Sequence, residues 1–312
     1  ESLFGKSGGV LDYVACWFKK AADYMKGTRI KTAFVATDSI CQGQQISPLW
    51  KPLFSEGITI NFAYHFFEWE SEATAAATVF VIIVGFSYIN DYKYKLYTKN
   101  EVMQVNHINA YLIPAENIFI EKRNKPLCNV PQMINGGKPA EGGYLILTEK
   151  EKDELLKKEP ITKKYIRPFM MGKDFIQRKS RYCLWLINAN PSDYKQMPLV
   201  TERIKLVESF RLKSTKATTR KKASTPMLFD EIRECKSNYI ALPKVSSGNR
   251  RYIPIDYLSE EIIAGDKLFF IENTNLYHFG ILNSNVHMSW MRVTCGYYGP
   301  SYSYSNTIVY NN

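Results

Sequence analysis

The alternation of apolar and polar positions along this chain predicts an α/β protein whose two halves differ in character. Over Gly9 to Lys26, the residues Leu11, Val14, Phe18, Ala21 and Met25 recur at helical steps, the pattern of an amphipathic helix, and Gly27 ends it. Ile30 to Ala36 is a β-rich run followed by Thr37, Asp38 and Ser39, residue types that cap helices, so a second helix is expected to run towards Trp50. Thr59 to Phe67 and Thr78 to Phe86 follow as strands. The second of them (VFVIIVGF) is so uniformly apolar that both of its faces should be covered, as in a mostly parallel sheet. Ligands of doubly wound sheets sit beyond the carboxyl ends of strands, which singles out the loops after Ala36 and after Phe67. The unit opens on a helix with no strand before it, and the sheet is expected to be the second half of a larger one.

Between Tyr111 and Pro139 the composition turns to Pro, Asn and Gly, which divides the chain into residues 1–125 and 126–312. Beyond the boundary a charged helix is expected over Glu149 to Lys158. Then comes Lys164 to Leu186, where apolar and aromatic residues are interleaved with Lys164, Arg167, Lys173, Arg178, Lys179 and Arg181. This stretch reads either as a surface for a polyanion or as a pair of strands whose polar faces are basic. Short strands broken by Pro and Gly continue to Asn312, giving a second domain of mixed α/β type.

Charge sharpens the picture. The 312 residues hold 41 Lys and Arg against 30 Asp and Glu, a formal net charge of +11, and nucleic acid is the commonest partner of a protein with that balance. Arg203 to Lys222 carries eight basic residues against the single acid Glu208, enough to follow a phosphate backbone. Cys16, Cys41, Cys128, Cys183, Cys235 and Cys295 are scattered without a CxxC pair, which points to buried free thiols in a reducing, cytoplasmic setting and to no metal site. Ala73 to Phe86 is shorter than the roughly 20 residues a bilayer needs, so no membrane partner is expected. Gly5-Lys6-Ser7 lacks the glycine and leading strand of a phosphate-binding loop, and Asn190-Pro191-Ser192 lacks the second proline of an amino-methyltransferase motif. His65, His107, His278 and His287 have no companions at catalytic spacing.

Several segments, taken in order, resemble one family. LDYVACWFKKAADYMK, KTAFVATDSICQGQQISPLW and FAYHFFEWESEA with TVFVIIVGF resemble the second half of the methyltransferase domain in the MmeI-like group. These are single-chain type II (IIG/IIL) restriction-modification enzymes that act as DNA adenine-N6 methyltransferases. GGKPAEGGYLIL, YIRPFMMGKDF with RYCLWL, SSGNRRYIPIDYL, and FGILNSNVHMSWMR with YSYSNTIVYNN resemble that group's target-recognition region. The resemblance implies a partial Rossmann-like methyltransferase sheet followed by a mixed α/β target-recognition domain, with duplex DNA as partner. It implies S-adenosylmethionine as the cofactor of the complete protein. The family's cofactor-binding turn and catalytic Asn-Pro-Pro-Phe/Tyr lie upstream of the segment matching Leu11 to Lys26. A fragment is therefore expected, with no catalytic residue, no cofactor bound by itself, and a missing amino-terminal half of the same polypeptide as partner. Whether the parent carries a nuclease stays open. A DNA-specificity protein that works by binding alone is the second reading, and a fragment of an RNA methyltransferase the third.

The resemblance also assigns residues. Phe67 and Trp69 fall where such enzymes stack an aromatic on the extruded base, and Asp38 stands in the pocket loop where the family more often has Asn. Gly248, Asn249, Arg250 and Arg251 lie in the segment the family uses to choose a base pair, and Arg and Asn carry the donors and acceptors for guanine and adenine edges. A turn at Ser247-Gly248-Asn249 would project them outward. Arg178, Lys179, Arg181, Lys213, Lys216, Arg220, Lys221 and Lys222 are expected at phosphates. Glu141 replaces an Asp of the family, and Ser303 stands where the family usually shows an Arg. The bland alternatives are packed aromatics, an ordinary surface hairpin and solvated charge.

Overall fold

The computed structural model describes residues 4–69, 79–90 and 93–312, which form two compact units. The first comprises Glu1–Cys128, Ser247–Asn249 and Ser289–Asn312, and the second Asn129–Ser246 and Arg250–Met288. The chain's last residues pack within the first unit. Arg123 N donates to Thr307 O at 2.9 Å, Leu127 N to Asn311 O at 3.0 Å and Arg123 Nε to Asn312 Oδ1 at 3.0 Å. Such long-range pairings leave no periodic trace in the sequence.

The first unit is built on α1 (Ala15–Met25), β1 (Lys31–Thr37), α2 (Ile46–Ser55), β2 (Thr59–Trp69), β3 (Val79–Ser87), β4 (Tyr94–Tyr97) and β5 (Val102–Val105). The sheet order is β1-β3-β2-β4-β5. β3 runs antiparallel to both β1 and β2, so the mostly parallel sheet expected from its apolarity is not what forms. β3 is apolar on both faces because it is an interior strand, flanked by β1 and β2. Ile82, Val84 and Phe86 join α1 and α2 in the core, while Val81 and Ile83 belong to the opposite face. Phe18 of α1 lies 5.2 Å from both Phe34 and Phe86 and 5.6 Å from Trp50, ring to ring, and Trp50 Nε1 donates to Ile40 O at 3.0 Å. Burial of aromatics of this size contributes most of the apolar driving force.

The second helix also differs from expectation. After β1 the chain makes 3-10 turns at Asp38–Cys41 and Gly43–Gln45, and α2 starts at Ile46 behind Gln45, which makes no side-chain cap. Thr37, Asp38 and Ser39 cap nothing; the Thr37 and Ser39 hydroxyls pair with each other at 3.0 Å. On the face of the sheet away from α1 and α2, the Phe62 ring lies across Gly85, where an added Cβ would meet it at 2.1 Å, and Tyr64 stacks on Tyr97 at 6.3 Å. Val35 is 52% exposed on that face, and the outer edge of β1 has no strand partner among the described residues.

The second unit holds two four-stranded sheets. Its strands are β6 (Met133–Asn135), β7 (Ile146–Leu147), β8 (Ile166–Met170), β9 (Arg181–Leu184), β10 (Tyr239–Pro243), β12 (Asp256–Leu258), β13 (Ile263–Ala264) and β14 (Leu268–Ile271), with β11 (Val245–Ser247) crossing the division. The sheet orders are β12-β10-β14-β6 and β13-β8-β9-β7. α3 (Glu149–Lys158) spans the expected residues, closed by a capping box between Thr148 and Glu151. α4 (Gly172–Gln177), α5 (Pro198–Leu212), α6 (Ala217–Lys221) and α7 (Leu276–Leu282) follow. α8 (Asn285–Thr294) crosses the division, and β15 (Gly296–Tyr298) pairs with β16 (Ser301–Ser303) in the first unit. The cysteines are unpaired, but only Cys183, Cys235 and Cys295 are buried; Cys16 and Cys41 are half-buried and Cys128 is exposed. No helix among the described residues is long and apolar enough to cross a membrane.

Candidate nucleic-acid interface

Half of the six basic residues in Lys164 to Leu186 are committed within the protein. Lys164 pairs with Asp193, Arg167 Nη1 reaches Glu234 at 3.1 Å, and Arg181 Nη2 lies 2.9 Å from the buried Asp174. The stretch is therefore a strand, a helical turn and a strand, β8-α4-β9, with a narrower basic face than its composition suggests. Arg178 ends α4 in the left-handed conformation, φ 52° and ψ 41°, which a non-glycine residue adopts at a cost of about 1 kcal/mol. Its N–H and that of Lys179 close the helix on Phe175 O and Asp174 O, and both side chains are exposed.

Arg178 and Lys179 line one cleft of about 500 Å³ together with Ser180, Arg250 and Asp256. The structure thus gathers two expected phosphate contacts and one expected base reader. Arg250 makes no hydrogen bond or ion pair among the described residues. Arg251 lies over the Tyr252 ring at 5.6 Å, a cation–π contact that fixes its direction. Asn249 is exposed, its N–H bonded to Ser247 Oγ at 3.3 Å, and Gly248 lets the turn approach Pro300, whose oxygen would sit 2.3 Å from an added Cβ.

The Lys213 to Lys222 run does not line that cleft. Its geometry is set by Arg211, which is fully buried and donates to the carbonyls of Pro139, Ala140, Lys222, Thr225 and Leu228. Arg220 turns back to Ser214 O at 2.8 Å and Thr215 O at 2.9 Å. Lys213, Lys216, Lys221 and Lys222 remain exposed. Arg203, counted in the same run, is held by Glu151 at 3.1 Å. Glu141 is also structural: its buried carboxylate accepts the N–H groups of Gly143 and Leu145 in the loop before β7. Asn190 accepts from the Ser192 N–H at 3.1 Å in a local turn.

In the first unit, Asp38 lines a cavity of about 140 Å³ with Gln42, His65, Phe66 and Tyr297. Burial pushes the Asp38 carboxyl up to about 6 against the opposing hydrogen bond from Gln42, and burial lowers His65. β2 has a register shift between Tyr64 and Phe67, which accompanies His65 and Phe66 at this cavity. Phe67 and Trp69 do not line it. Phe67 packs on Tyr64 at 5.0 Å and near Trp69 at 6.5 Å, and Trp69 is 49% exposed, just before residues 70–78, which lie outside the described residues. Phe66, which stands 5.7 Å from Tyr297, was not singled out by sequence. Nothing in the local pattern distinguishes it from its neighbour Phe67. Ser303 sits in β16, paired with Gly296.

The MmeI target recognition domain matches residues 114–312, and the MmeI DNA-methyltransferase domain matches residues 2–98. DNA methyltransferase A of Bacillus subtilis (strain 168) is 38% identical over 313 residues, covering 99% of this chain and 36% of that protein. The structure of the type IIL restriction-modification enzyme MmeI in complex with DNA superposes with a TM-score of 0.95 at 39% identity, covering 99% of this chain and 43% of that one. The chain therefore spans well under half the length of these relatives. With the recognition-domain match extending over most of its length and the methyltransferase match preceding it, the chain belongs to the MmeI family.

Proposed function

We propose that this chain is the target-recognition part, with an adjoining portion of the methyltransferase domain, of a site-specific DNA adenine-N6 methyltransferase of the restriction-modification type. Its second unit would hold duplex DNA along the cleft of Arg178, Lys179 and Arg250. The observation that carries the reading is that Arg250 and the adjacent pair Arg178 and Lys179, about seventy residues away in sequence, line one cleft with their side chains exposed. Arg250 has the donors for guanine O6 and N7, Arg251 is oriented by Tyr252, and Asn249 suits an adenine edge. Arg178 and Lys179, with Lys213, Lys216, Lys221 and Lys222, would contact phosphates, whereas Arg181 and Arg220 spend their guanidinium groups internally. Phe67 and Trp69 remain the proposed stacking faces for an extruded adenine, supported by the exposure of Trp69.

S-adenosylmethionine would serve the complete protein. The described residues do not fit it: no Gly-rich strand-to-helix turn occurs among them, and β1 runs on into 3-10 turns at Asp38. The amino-terminal half of the same polypeptide would supply that site. Its support here is the unpartnered edge of β1 and the exposed Val35 beside it, since an open apolar edge is a template for another strand.

Fluorescence anisotropy of the chain with duplex DNA across a salt series tests the reading. Binding whose log affinity falls linearly with log salt, and which prefers duplex DNA to structured RNA, is expected. Preference for RNA would overturn it.

A further inference from the structure

Asp256 is the one acid among the charged residues lining the cleft of Arg178, Lys179 and Arg250. It opens the edge strand β12, whose ladder to β10 pairs Ala241 with Asp256, Ile240 with Tyr257 and Tyr239 with Leu258. The five residues of β10 are buried, and Tyr257 packs on Phe279 at 5.5 Å, so the backbone at Asp256 is held while its side chain stays exposed. Its Oδ1 accepts the Tyr257 N–H at 2.9 Å, and no ion pair joins it to a neighbouring cation among the described residues. Arg250 is likewise without an internal partner. Two opposite charges line one cleft and leave each other unpaired.

We infer that Asp256 reads a base: its carboxylate accepts an exocyclic amino group, and with Arg250 it specifies a single G·C pair. The inference rests on the cleft being the DNA-reading surface proposed above. A carboxylate facing a phosphate backbone weakens binding, so an acid in a basic cleft is useful only opposite a donor. In the major groove the donors are cytosine N4 and adenine N6. Arginine takes guanine O6 and N7, and the two bases of one G·C pair present these groups side by side. An unpaired Arg and an unpaired Asp in one cleft match that pattern.

The test is selection of the wild-type chain and of Asp256→Ala, Asp256→Asn and Arg250→Ala against randomised duplexes, with anisotropy on an unselected duplex. The wild type is expected to select a site containing a G·C pair. Asp256→Ala should lose discrimination at that pair roughly ten-fold or more, the size of a good base contact. Its affinity for the unselected duplex should hold or rise, because a negative charge leaves a basic cleft; a merely structural residue would lower both. Asp256→Asn, which adds a donor, should shift preference towards adenine at the same position. An unchanged site in Asp256→Ala, with a changed one in Arg250→Ala, overturns the inference and leaves the DNA reading standing. Failure of the wild type to bind any duplex overturns both.

Discussion

Arg181 grips Asp174 through two nitrogens, Nε at 3.0 Å and Nη2 at 2.9 Å from the same Oδ2, and that carboxylate is buried beneath the turn that presents Arg178 and Lys179. The same Oδ2 accepts the Met171 N–H at 3.0 Å, so one carboxylate ties β9 to the start of α4. Arg181→Ala would leave a buried charge without its partner. We expect a loss of about 2 kcal/mol, below the full buried-pair value because the Arg is partly exposed, in urea unfolding. Arg178→Ala should leave stability unchanged and weaken DNA binding.

Arg211 should be the most sensitive basic residue in the chain. Its replacement strands the carbonyls of Pro139, Ala140, Lys222, Thr225 and Leu228 in a buried site. Arg211→Met is expected to lower stability by about 4 kcal/mol, and Arg211→Lys by less, since an ammonium has three donors. Thermal melts of the two variants decide this.

The exposed lysines should behave oppositely. Changing Lys213, Lys216, Lys221 and Lys222 to Ala should leave the melting temperature unchanged and reduce the slope of log affinity against log salt, by roughly 0.9 for each phosphate contact removed. Arg220→Ala should alter that slope little, because its guanidinium already serves Ser214 and Thr215.

Asp38 links stability to pH. Its carboxyl is raised in the folded state to about 6, so the folded protein holds the proton that the unfolded chain releases. Stability from this group is intact below the unfolded value near 3.8 and falls as pH rises to about 6, above which the penalty is complete. Asp38→Asn is expected to stabilise the first unit at neutral pH by about 1–2 kcal/mol, allowing for partial exposure, and to have little effect near pH 4. Urea titrations at the two pH values check the sign.

What the sequence conveyed depended on range. Helical spacing in Leu11 to Met25 and the charged run Glu149 to Lys158 located α1 and α3, because both signals are local. The apolarity of β3 located a covered strand but not its direction, since an interior antiparallel strand buries both faces as fully as a parallel one. Charge counting found the basic face yet could not separate Arg211, buried among carbonyls, from Lys213 two residues on. Asp256 carries no signal in the sequence, because an acid six residues from Arg250 acquires meaning only when both line one cleft. Phe66 and Tyr297 meet across the length of the chain, and no spacing rule reaches so far.

The most direct test is a charge-matched comparison in the DNA anisotropy assay: Arg178, Lys179 and Arg250 changed together to Ala, against Lys150, Lys157 and Lys158 of α3 changed together to Ala. Both sets are exposed and remove equal charge, but only the first lines the cleft. A loss of at least ten-fold in affinity is expected for the cleft variant and a small change, shared by every sequence, for the α3 variant. Equal losses in the two would mean that net charge alone governs binding, and would contradict the placement of DNA in the cleft.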